Sequence, residues 1–71
     1  MSIEEYLVED GPVTMKFQIP NGFGHIIYYS ERDDEGYWDV YRSGFLGRDE
    51  YIDRCYNRED VYAAVRRDAD I

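Results

Sequence analysis

The residues with the greatest capacity for chemistry lie between Glu31 and Asp39. Glu31-x-Asp33-x-Glu35-Gly36-x-x-Asp39 puts carboxylates at alternate positions with a glycine for a sharp turn, a spacing found in calcium-binding loops. The position that should close such a loop with a bidentate glutamate is Arg42, and the flanking residues have the composition of strands. The sequence therefore predicts a solvated acidic hairpin and no metal site. His25 has no cysteine or second histidine at ligand spacing, short of the roughly four ligands that zinc takes. Cys55 is the only cysteine. With no adjacent histidine to activate it, it is expected to be a small packed side chain. Gly22-Phe23-Gly24 lacks the third glycine of a dinucleotide loop and reads as a turn. No Ser-His-Asp set, phosphate loop or paired-carboxylate motif is recognisable, so the expectation is a non-enzyme without a cofactor.

What remains is charge and tyrosine. Sixteen carboxylates face eight Lys and Arg, for a net charge of −8. Such a surface repels nucleic-acid backbones and anionic membranes and attracts basic protein surfaces. Duplex DNA carries one phosphate per about 3.4 Å on each strand, and residues of a β-strand advance by about 3.3 Å. Carboxylates on a sheet edge and its loops can thus roughly imitate a phosphate row. Tyrosine is enriched at interface hot spots because it buries much area at modest entropic cost, and this chain has eight. The expected partner-binding set is Glu31, Asp33, Asp34, Glu35 and Asp39, flanked by Tyr29, Tyr37 and Tyr41. The competing reading is that the charge keeps a tyrosine-rich domain soluble or reflects salt adaptation.

The elements that must position these residues fit in one domain, residues 1–71. A chain of this size buries only about 60% of the surface its unfolded form exposes, which leaves room for one functional face. Twelve aromatics give it the apolar area that a disordered acidic tail lacks. One cysteine allows no internal disulfide, as expected in a reducing compartment. Met1-Ser2-Ile3-Glu4-Glu5 resembles no signal peptide, and no stretch approaches the ~18 apolar residues of a membrane span. A cytoplasmic protein is expected.

Ser2-Ile3-Glu4-Glu5 reads as a capping box opening a short helix that ends near Asp10-Gly11-Pro12, with Ile3 and Leu7 on one face; the alternative is a frayed extended arm. From Val13 to Ile19 apolar and polar residues alternate, with Val13, Met15, Phe17 and Ile19 inward and Thr14, Lys16 and Gln18 outward. Pro20-Asn21-Gly22 is a turn, and His25 to Ser30 a second strand. Residues 32–36 form a hairpin connection to a third strand, Tyr37 to Ser43, with Trp38 and Val40 on one face and Tyr37, Asp39 and Tyr41 on the other. Glu50 to Tyr56 is either a short fourth strand or a loop. Asn57 caps a helix over 58–68 whose apolar stripe is Val61, Ala64 and Val65. The predicted fold class is α+β: an antiparallel sheet of three or four strands, a C-terminal helix on one face and a short N-terminal helix.

A chain under 100 residues, rich in Asp and Glu and without a catalytic constellation, resembles the small acidic phage-encoded inhibitors, among them anti-CRISPR proteins and other DNA mimics. The resemblance is one of type and covers the whole chain. It implies binding to a basic nucleic-acid-binding protein or complex (a CRISPR effector, restriction enzyme or DNA-repair enzyme) in the cytoplasm of a host cell. A second likeness, to the sheet-plus-helix DNA-binding arms of phage integrases, rests on Gly36-Tyr37-Trp38-Asp39-Val40-Tyr41, Gly44 and the helix opening at Asn57. Those domains need a basic sheet, and Asp39 with its neighbours makes this one acidic, so direct nucleic-acid binding is not expected. The alternative function is a small non-enzymatic structural or regulatory module, such as a homodimeric assembly factor or an antitoxin-like partner, in which the tyrosines and Phe45-Leu46 form the contact surface and the charge serves solubility.

Overall fold

A computed structural model describes residues 2–71; Met1 and the side chain of Phe45 lie outside the described residues. The alternation of Met15, Phe17 and Ile19 with Lys16 and Gln18 produces the central strand pair: β2 (Thr14–Asn21) and β3 (Gly24–Arg32) run antiparallel in unbroken register from Thr14↔Glu31 to Asn21↔Gly24. Gly22, at φ 63°, occupies the left-handed position of the turn between them, where a side chain would be strained. β4 (Trp38–Arg42) and β5 (Glu50–Cys55) continue the meander on one side, and β1 (Leu7–Asp10) closes it on the other, giving five strands in the order β1-β2-β3-β4-β5.

Two expectations are corrected here. The sheet has five strands, not three or four: Glu50–Cys55 is a strand, and so is Leu7–Asp10, where the sequence predicts helix. The N-terminal helix is a single 3₁₀ turn, Ile3–Tyr6, capped by the Ser2 hydroxyl accepting from the Glu4 amide at 3.4 Å. One turn leaves too few internal hydrogen bonds to propagate a helix, and pairing with β2 satisfies the backbone of residues 7–10 instead. Val13 also departs from its expected inward position, being half-exposed just outside β2.

One face of the sheet is covered by α1 (Arg58–Ala69), which packs against β3, β4, β5 and the 3₁₀ turn. Its cap is the one expected, Asn57 Oδ1 accepting from the Asp60 amide at 2.9 Å. Val61, Ala64 and Val65 meet Met15, Phe17, Ile19, Tyr28, Trp38, Val40 and Cys55 in the core, with Ile3 closing one edge. Ser30, the buried polar residue of this face, donates its hydroxyl to the Asp39 carbonyl at 3.0 Å. Arg58 ties the start of α1 to β1, pairing with Asp10, donating to the Gly11 carbonyl at 3.1 Å and lying 5.5 Å from the Trp38 ring centroid.

The end of α1 is tied down by Asp68, which accepts from the buried Tyr28 hydroxyl at 2.6 Å and from Arg42 at 2.8 Å. Burial, then the bond to Asp68, pushes the Tyr28 phenol up to about 12 from its ordinary value of 10.0. A folded value above the unfolded one means that the stabilisation is complete below pH 10 and is lost as pH rises towards 12. Tyr28→Phe is accordingly expected to lower the urea midpoint at pH 7 and to flatten its decline above pH 10; equal alkaline slopes in parent and variant would show that Tyr28 does not titrate this way.

Candidate functional site

Because α1 covers one side of the sheet, the other side is left open, and strand register decides what it carries. Cross-strand partners share a face. One row across this open face runs Lys16↔Tyr29↔Tyr41↔Tyr51, and the next runs Thr14↔Glu31↔Asp39↔Arg54. Tyr29 and Tyr41 stack with centroids 5.0 Å apart and 15° between planes. Tyr51 meets Tyr41 edge-on at 5.4 Å and 76°. Both arrangements are favourable geometries for aromatic pairs. Each end of the tyrosine row is anchored by a carboxylate: Tyr29 donates to Asp49, and Tyr51 donates to Asp39 at 2.8 Å.

Arg54 organises the second row. Its Nε donates to Asp39 Oδ1 at 3.1 Å, Nη2 lies 3.8 Å from Asp33, and Cζ sits 5.2 Å from the Tyr37 ring centroid. The hydrogen bond from Tyr51 and the guanidinium together hold the Asp39 carboxyl below its ordinary 3.8, against a smaller opposing effect of burial. A depressed folded value stabilises the protein above the unfolded one and is lost as pH falls through the folded one. Asp39→Asn should therefore lower stability at pH 7 and shrink the loss as pH falls below 3.8, measured by urea midpoints; an unchanged acid slope would show that Asp39 is not held in this way.

Of the expected partner-binding residues, Tyr29, Glu31, Tyr37, Asp39 and Tyr41 share the open face. Asp34 and Glu35 are exposed in the β3–β4 connection at one end of it. Asp33 instead builds the turn, its Oδ1 accepting from the amides of Glu35 and Tyr37, both at 2.9 Å. Asp33 and Asp39 are thus engaged within the chain, while the side chains of Glu31, Asp34 and Glu35 are without ion pairs or hydrogen bonds among the described residues. The free carboxylates are thus Glu31 near the end of β3 and Asp34 and Glu35 in the connection that follows it, at one end of the tyrosine face.

Lys16, Arg54, Asp49 and Glu9 also belong to this surface, although the sequence does not single them out. The outward phase of Lys16 is visible in the alternation of β2, but its position beside Tyr29 depends on register. Glu9, Lys16, Ile27, Tyr29 and Glu31 bound a depression of about 250 Å³ on the open face.

Reactive groups lie elsewhere or are quiescent. Cys55 is buried in the core, and desolvation followed by the charges of Asp53 and Asp60 pushes its thiol up to about 11, so it stays protonated at neutral pH. His25 is exposed near the β2–β3 turn. Among the described residues no group of three or more His, Cys, Asp or Glu side chains is placed to hold a metal ion, and no helix is long and apolar enough to cross a membrane. Comparison of the chain with protein-family models, with curated proteins and with solved structures finds no match.

Proposed function

We propose that this protein is a non-enzymatic, acidic protein-binding inhibitor whose open sheet face occupies the basic nucleic-acid-binding surface of a target such as a CRISPR effector, restriction enzyme or DNA-repair enzyme. The observation that carries this reading is the uncovered tyrosine row together with the unpaired carboxylates of Glu9, Glu31, Asp34 and Glu35. Long-range attraction from the carboxylates sets the association rate, and burial of the tyrosines sets the dissociation rate. A standard interface takes about 800 Å² from each partner, and the whole chain exposes 4964 Å², so this one face suffices.

The experiment that tests this is capture on the immobilised chain from bacterial lysate, with elution by duplex DNA or by salt. The expected result is a nucleic-acid-binding protein released by both. Recovery of the chain alone, or of a salt-resistant partner indifferent to DNA, would instead favour a structural or regulatory module. That second reading rests on Phe23 and Leu46, both strongly exposed at the same end of the sheet, where salt would not screen an apolar contact.

A further inference from the structure

The open face already contains one internal case of cation recognition. The Arg54 guanidinium lies against the Tyr37 ring while its nitrogens face the carboxylates of Asp39 and Asp33. The elements of a second such site recur along the same face, with Lys16 as the cation this chain places beside them. Tyr29 stands at the edge of the tyrosine stack and lines the depression of about 250 Å³, as do Glu31 and Glu9, the latter opposite Lys16 in the β1–β2 register. Neither glutamate has an ion pair or hydrogen bond among the described residues, and both are exposed. The Tyr29 hydroxyl donates to Asp49, which holds the ring in place. One cation, Lys16, lines the same depression against the two glutamates.

We propose that this depression receives an arginine side chain of the protein partner, its guanidinium stacked on Tyr29 and paired with Glu31 and Glu9; the inference rests on the basic-surface reading above. A planar, weakly hydrated guanidinium can stack and pair with carboxylates at once, whereas an ammonium is a compact, strongly hydrated point charge. The site therefore distinguishes arginine from lysine, which net charge alone does not. Lys16 is the competing cation, so its removal should help.

Titration with nona-arginine and nona-lysine peptides at low salt, followed by calorimetry, tests this. The expected result is binding of nona-arginine about tenfold tighter than nona-lysine. Glu31→Gln and Tyr29→Leu should each abolish most of that preference, and Lys16→Met should raise arginine affinity. Glu31→Gln alters only an exposed side chain, so a misfolded Tyr29 variant does not leave the question open. Equal affinity for the two peptides would overturn the arginine site and leave the basic-surface reading standing. Binding of neither would overturn both.

Discussion

Phe17→Ala is expected to leave the chain largely unfolded at 25 °C. Phe17 is 0% exposed at the middle of β2, where its ring meets Tyr62 of α1 edge-on at 5.9 Å. Truncating a buried phenylalanine costs about 3–5 kcal/mol, since lost transfer energy is added to an unfilled cavity. A core of this size supplies on the order of 3–5 kcal/mol of net stability. The two quantities are comparable, so one substitution exhausts the fold. Phe17→Leu, which keeps most of the volume, should still unfold cooperatively at a lower urea midpoint. A cooperative transition for Phe17→Ala near the parent midpoint would show that the sheet does not depend on the helix contact.

The largest expected effect on binding comes from reversing Glu31, Asp34 and Glu35 to lysine. These exposed carboxylates have no partner within the described residues, so their reversal disturbs no internal contact. The matched control is reversal of Glu4, Glu5 and Glu59, which lie on the 3₁₀ turn and α1, on the covered side of the sheet. Both triple variants change net charge equally, so a difference between them measures position alone. The face variant should lose about 100-fold or more in affinity for the DNA-displaceable partner, because like charges meeting across an interface cost several kcal/mol. The control should lose only what uniform charge reduction takes from the association rate. Equal losses would place the interaction off the open face. Asp68 is unsuitable as a control, since it holds Tyr28 and Arg42.

How far the sequence foretells this arrangement differs by element. The alternation of β2 and the Asn57 cap are local signals; the helix forms where its cap places it, and β2 runs from Thr14 through Pro20 and Asn21, which the sequence assigns to the turn. β1 is not legible, because Ile3 and Leu7 have helical spacing and a four-residue strand has little pattern of its own; pairing with β2 decides its form. The outward phase of Tyr37, Asp39 and Tyr41 is legible from period-two alternation. Their neighbours are not: Arg54 reaches Asp39 and Tyr51 lies against Tyr41 only through the β4–β5 register, which includes a shift between Val40 and Tyr41. Asp33 reads as a free carboxylate in a charged run, although an aspartate at the head of a turn commonly binds the amides that follow it. The division of acidic residues into engaged and free is a tertiary property, and it shapes the proposed site more than their number.

The most direct test of the central claim, that the open sheet face is the binding surface, is amide chemical-shift mapping of the ¹⁵N-labelled chain with nona-arginine peptide. The helix side offers a fair competitor, with exposed Glu59 and Asp70. The predicted result is saturable shifts at Lys16, Tyr29, Glu31 and Tyr41, with Glu59, Ala63 and Arg66 of α1 unmoved. Shifts concentrated on α1, or spread evenly over every acidic segment, would contradict it.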